Sequence, residues 1–197
     1  MSRSGPITKD VSTVALGLAQ VRLGASAANV TSLAPVLTSA SSIGALANTK
    51  FTSTVEFWRL ESGFPLVEDT SIPLREKAQL ECAFKEITPM NVAFAKGIDA
   101  TSGYATVHSG EIPLGNIDSP DFIRMEAFYT YPDGVNEMVI IFPRAQVVSN
   151  VDIDLKDSDA VAVPITIEAK NADSNISGGS SIWDSKPLGR ILFRPKP

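Results

Sequence analysis

Apolar side chains recur at every second position in one stretch after another of this chain. Ala78, Leu80, Cys82 and Phe84 alternate with Lys77, Gln79, Glu81 and Lys85. Within 43–60, Phe51, Val55 and Phe57 fall on one face of an extended chain, and Thr52, Thr54, Glu56 and Trp58 on the other. Val151, Ile153 and Leu155 repeat the pattern, as do Ile165, Ile167 and Ala169. A period of two is the signature of a strand that buries one face. Residues 74–86 are therefore read as a strand, although their Leu, Glu and Lys content would also allow a helix.

Turn residues divide the pattern. Residues 1–12 read as a flexible arm and 13–23 have strand character. Residues 24–42 are nearly all small, with Pro35 inside, and read as a long unpacked connection. A glycine and two prolines make 61–73 a turn or long hairpin loop. One helix is expected over 88–98: Thr88 as N-cap, Pro89 first, Met90, Phe94 and Ile98 on one face, Gly97 at the end. Residues 99–121 read as irregular. Strands over 122–131 and 135–142 flank Pro132-Asp133-Gly134, a hairpin turn in which proline presets φ and glycine accepts a positive one. Strands follow at 147–155 and 161–169, then a polar loop at 171–186 and a closing strand at 189–193. The expected architecture is mainly β, an antiparallel sandwich or barrel of seven or eight strands with one flanking helix, in a single domain of 197 residues.

The residue inventory argues against several functions. A formal net charge of −5 disfavours a free-standing nucleic-acid-binding domain. One cysteine and one histidine exclude a disulfide framework, multi-cysteine zinc or iron–sulfur sites and multi-histidine sites. His108 lies near Ser102 and Ser109, but the spacing matches no nucleophile elbow, and it reads as a surface-loop histidine. Cys82 lies on the apolar face of its strand and reads as a small buried hydrophobe. Carboxylates such as Glu56, Glu61, Glu68, Asp69, Glu76 and Glu81 read as solvated strand faces rather than a catalytic dyad. Asp152, Asp154, Asp157 and Asp159 superficially suggest calcium, but the glycine and final glutamate of an EF-hand loop are missing. No phosphate-cradling glycine loop is present. Neither a secretory leader nor a membrane span is evident, so a soluble protein in a reducing cytoplasm is expected.

Residues 43–98 carry a recognisable order: a strand ending VEFWRLESGFP, a return strand IPLREKAQLECAFKEI, then TPMNVAFAKGI as a helix. This order resembles the major tail tube proteins of tailed bacteriophages. In that family a long hairpin with an acidic-Ser/Gly-x-Pro turn feeds a strand and a single helix with a Thr-Pro-like opening. Residues 137–170 (EMVIIFPRAQVVSNVDIDLKDSDAVAVPITIEAK) and KPLGRILF resemble the family's closing strands. Residues 24–42 depart from any pattern in it, and 99–134 are not diagnostic.

The resemblance implies hexameric rings stacked into a hollow tube that conducts DNA from capsid to host. The tube is assembled in the bacterial cytoplasm around a tape-measure protein and located in the virion tail. Sheath, terminator and baseplate proteins are the further partners implied; no catalysis, cofactor, metal or membrane is. The loop 61–73, with Glu61, Ser62, Gly63, Phe64, Pro65, Glu68 and Asp69, is the implied ring-stacking element. Thr52, Thr54, Glu56, Gln79 and Glu81 supply the polar face that a water-filled lumen needs, although such a face suits the outside of a tube equally well. An acidic chain suits a DNA conduit, since like charge prevents sticking. Competing readings are an inner-tube subunit of a type VI secretion or contractile bacteriocin system, a monomeric β-sandwich binding module, and a small carboxylate hydrolase. For the binding module, only Trp58 and Trp183 could form an aromatic platform.

Overall fold

The computed structural model describes residues 17, 19–62, 67–98, 111–115, 119–155 and 160–197. Among them lie seven strands: β1 (Gln20–Ala25), β2 (Leu46–Ser62), β3 (Val67–Phe84), β4 (Ile123–Thr130), β5 (Asn136–Val147), β6 (Val163–Ala169) and β7 (Arg190–Pro195). Helix α1 (Ser26–Asn29) follows β1, and α2 (Pro89–Ala95) follows β3. All strand pairs are antiparallel, in the order β1-β4-β5-β6-β3-β2. β7 pairs with the first half of β5, beside the place where β6 takes over the same edge.

The sheet curls. Its main core draws on β1 (Val21, Leu23), on β3 (Leu80, Phe84) and on β5 (Phe142), with Phe94 of α2 packed among them. Strands from both halves of the order share one cluster only if the sheet folds over on itself. The connection leading into one end strand also touches the other: the Ile43 N–H donates to Val21 O of β1 at 3.0 Å, three residues before β2 begins. A smaller cluster on the opposite face holds Phe128, Val139, Ile141 and Trp183.

Several expectations match. Ala78, Leu80, Cys82 and Phe84 all face the core, so the expected strand over 74–86 is there as far as Phe84. The Asn91 N–H donates to Thr88 Oγ1 at 3.2 Å, and Gly97 ends the helical turn with φ +78°. At the Pro132–Gly134 turn, Gly134 has φ +69° and Asp133 Oδ1 accepts the Val135 and Asn136 N–H groups.

Others need correction. Residues 61–62 and 67–73 are strand rather than loop, since β2 runs on to Ser62 and β3 starts at Val67; residues 63–66 lie outside the described residues. Pro73 is tolerated because it sits beside a bulge, where the register jumps from Glu56–Arg75 to Phe57–Pro73. Residues 148–155 are not a strand. The pairing with β6 ends where the Val148 N–H donates to Thr166 O at 2.9 Å, and beyond it Ile153 and Leu155 stay exposed. Instead β5 continues past Phe142 to Val147, its prolyl residue Pro143 falling in a bulge against β4.

Residues 24–42 are not an unpacked connection either. They contain α1 and a 3-10 turn at Ser39–Ser41, and they are clamped to β4. Arg124, fully buried, donates to Asn29 O (2.7 Å), Ser32 O (2.9 Å) and Ala34 O (2.8 Å), and to Glu126 Oε1 (2.7 Å). Glu126, equally buried, accepts the N–H groups of Val36 (2.9 Å) and Leu37 (3.0 Å). Trp183, in the stretch read as a polar loop, is buried, and its indole N–H donates to Val30 O at 2.6 Å. Residues 1–12 and most of 99–121, including His108, lie outside the described residues.

Candidate assembly surface

β2 and β3 are 17 and 18 residues long, but β6 pairs with β3 only over 79–84. Beyond that stretch the hairpin leaves the body as a two-stranded arm. Residues 53–62 alone extend it by roughly 30 Å at strand rise. From 53 to 61 and from 70 to 77 every residue is exposed, so neither face of the arm is covered. The expectation that β2 buries one face therefore fails along the arm. Short two-stranded ribbons are marginal on their own, and this one displays large apolar side chains.

The register assigns the side chains to faces. One face places Lys50, Thr52, Thr54 and Glu56 opposite Glu81, Gln79, Lys77 and Arg75. It continues across β6 through Thr166 and Glu168, with Gln146 of β5 opposite the latter. All five residues expected to share a polar face are thus brought together: Thr52, Thr54, Glu56, Gln79 and Glu81. Arg75 holds Glu56 with N···O distances of 2.6–3.1 Å. That hydrogen-bonded contact pulls the Glu56 pKa below the ordinary carboxylate range and raises that of Arg75. Glu81 accepts from Gln79 Nε2 at 2.8 Å and lies 3.6 Å from Lys50 Nζ, and Glu168 is paired with Lys170. Cations and carboxylates alternate here, so the chain's acidic surplus is not concentrated on this face.

Past the bulge the same face turns apolar, with Trp58 opposite Ile72 and Leu60 opposite Thr70. The reverse face carries Val55 and Phe57, and Leu74 projects from the bulge at 67% exposure. Near the end of the arm Glu61 is exposed, and the backbone register sets it opposite position 68. Of the expected stacking residues, Glu61, Ser62, Glu68 and Asp69 lie on strands, while Gly63, Phe64 and Pro65 lie outside the described residues.

Between the root of the arm and β7 lies an open groove of about 250 Å³. Phe51 and Ala78 line one wall, Ile140 and Phe142 the floor, and Arg190 and Ile191 the other wall. β7 pairs with β5 alone, leaving its outer edge without a strand neighbour among the described residues. Ile191 and Phe193 are exposed there, Phe193 at 65%. Sequence reading missed this surface because a six-residue closing strand gives no sign of which edge stays open.

Cys82 is buried and its thiol is pushed up to about 12 by desolvation, which makes it unreactive. Among the described residues no cluster of three or more His, Cys, Asp or Glu could hold a metal ion, and no helix is long and apolar enough to cross a membrane. What the arm and groove offer chemically is association: apolar strands and free edges. No family model matches the chain, and no curated protein matches it in sequence.

Proposed function

We propose that this chain is a self-assembling structural subunit of a phage tail tube, forming hexameric rings that stack into a conduit for DNA. The single observation that carries the reading is the β2–β3 arm, a long ribbon exposed on both faces and studded with Trp58, Leu60, Ile72, Phe57 and Leu74. Contiguous exposed apolar surface of this kind marks an interaction site, and a bare ribbon invites pairing. The order of motifs in 43–98 supports the tube family among self-assembling proteins. On this reading the polar face of β2, β3 and β6, with its paired charges, is the candidate lining of the lumen. A tape-measure protein inside the tube and sheath, terminator and baseplate proteins are the partners.

The test is sedimentation velocity with negative-stain electron microscopy over a range of protein concentrations. Rings with a central hole, or stacked tubes, are expected at high concentration. Replacing Trp58 and Leu60 by Ser should abolish them without unfolding the body, because both side chains are already exposed. A protein that stays monomeric at every concentration and also fails to join tails in a complementation assay refutes the reading.

A further inference from the structure

The curled sheet leaves its core open at one end. There β4 and β5 part from β2 and β3, and a gap of about 180 Å³ lies between them. Ala127, Tyr129 and Met138 line one side, and Thr49, Phe51 and Leu80 the other. The register sets Thr49 opposite Cys82 and Phe51 opposite Leu80, and both partners belong to the main core cluster. Ala127 belongs to it as well, with Tyr129 two residues on and opposite Met138. The gap is therefore an unfilled continuation of the core. Gly17 and Ala19, which lead into β1, also line it.

We propose that residues 13–16 of the same chain fill this gap, with the Val14 and Leu16 side chains turned into it. Position decides the occupant. The chain that precedes Gly17 starts out from the gap, so Val14 and Leu16 lie within about 10 Å of Gly17 at strand rise. A segment tethered this closely has an effective concentration in the millimolar range, which a segment of a free second copy does not match. Composition agrees. Residues 13–16 read Thr-Val-Ala-Leu and carry no charge, whereas residues 1–10 carry Arg3, Lys9 and Asp10. A dry cavity of about 150 Å³ holds a benzene ring, so the gap suits side chains of valine and leucine size. Filling it removes apolar surface from water on both sides of the contact. Thr49 Oγ1 is buried here and has no hydrogen-bond partner among the described residues. A backbone group of the incoming segment would supply one.

Gly17 governs which side chains turn inward. Val21 and Leu23 of β1 face the core. An unbroken strand would carry that alternation back to Ala15 and Thr13 and leave Leu16 and Val14 in water. Gly17 interrupts it with φ +103°, a conformation that glycine adopts without strain. A glycine of this kind at a strand end re-aims the side chains beside it, as in a β-bulge. The two larger apolar side chains then take the inward positions. The filled gap rests on Phe51, at the root of the β2–β3 arm, so the N-terminal segment braces the arm where it leaves the body.

The test uses the full chain below the concentration at which it assembles, with the methionine methyl groups labelled for NMR; Met138 reports the gap. Val14→Asp with Leu16→Asp is expected to shift the Met138 methyl signal and to lower the melting temperature by several degrees. Ser2→Asp with Ser4→Asp should change neither. A Met138 signal that the Val14 and Leu16 changes leave in place overturns the inference. A second measurement keeps both side chains. A nitroxide attached to Ser12→Cys should broaden the Met138 methyl signal of its own chain, the buried Cys82 being closed to the reagent. It should leave that signal sharp when nitroxide-bearing chains are mixed with methyl-labelled chains that lack it. Equal broadening in the mixture assigns the gap to a second copy and overturns the inference, as does no broadening in either sample.

Discussion

Replacing Arg124 by Met should be among the most damaging single changes in this chain. The guanidinium makes four hydrogen bonds, three to backbone carbonyls of the 29–34 segment and one to Glu126. Burial lowers the Arg124 pKa and the Glu126 contact raises it, yet an arginine remains charged throughout the accessible pH range. Met fills the space but leaves Glu126 as an uncompensated buried carboxylate and three carbonyls without their donor. Removing one partner of a buried pair costs about 3–5 kcal/mol, a large share of the 5–15 kcal/mol typical of a whole domain. For a chain of this length that lowers the melting temperature by about 10 °C. Urea unfolding followed by far-ultraviolet circular dichroism gives the loss, and hydrogen exchange at the Val36 and Leu37 amides reports the loop. The double variant Arg124→Met with Glu126→Gln removes the stranded charge and should recover at least about 1 kcal/mol. A single variant that loses less than about 1 kcal/mol, or a double variant that costs the sum of its parts, refutes the reasoning.

Two further outcomes follow from the ionisable groups. Cys82 should resist thiol reagents at pH 8 in the native protein and react fully in urea. Because its folded pKa is raised to about 12, stability should fall as pH climbs from the ordinary thiol range towards that value, and Cys82→Ser should flatten the fall. Glu56 has a lowered folded pKa, so its contribution is present above the ordinary carboxylate range and disappears as pH falls through the folded value. Carboxyl NMR titration should show the Glu56 midpoint moving up in Arg75→Ala, with the unfolding midpoint at neutral pH unchanged because both side chains are exposed.

The parts of the fold legible in the sequence are those decided by neighbours in the chain. Alternation placed Ala78 to Phe84 on the core, Thr88 capped α2, and Pro132-Asp133-Gly134 turned its hairpin. The expected polar face was also recovered, since alternation alone fixes which side chains share a side of β2 and β3. The misses come from contacts distant in sequence. Arg124 and Glu126 sit in IRMEAFYT as alternating charges, the pattern of a solvated face. Only their carbonyl and amide partners, about 90 residues away, make burial affordable. Trp183 is buried by Val30, 153 residues distant. Val151, Ile153 and Leu155 alternate as well as any strand here, but the chain leaves β6 after Val148 and makes no further ladder with it. Pro73 looked like a terminator because a sequence does not reveal that it stands beside a bulge.

The clamp on β4 has a consequence for variation among relatives of this chain. Arg124 grips three carbonyl oxygens and Glu126 grips two amide hydrogens of the 29–37 segment, and none of these contacts touches a side chain of the segment. The path of the segment is therefore dictated from outside it, by two residues that cannot change independently. Of its own letters, Val30 and Leu33 are read, by the cluster around Trp183, and Leu37 by its packing against Gly24. The remaining positions of a stretch that looks like low-complexity filler can then drift while it traces a constant course, and much of the information that shapes it is stored about ninety positions downstream.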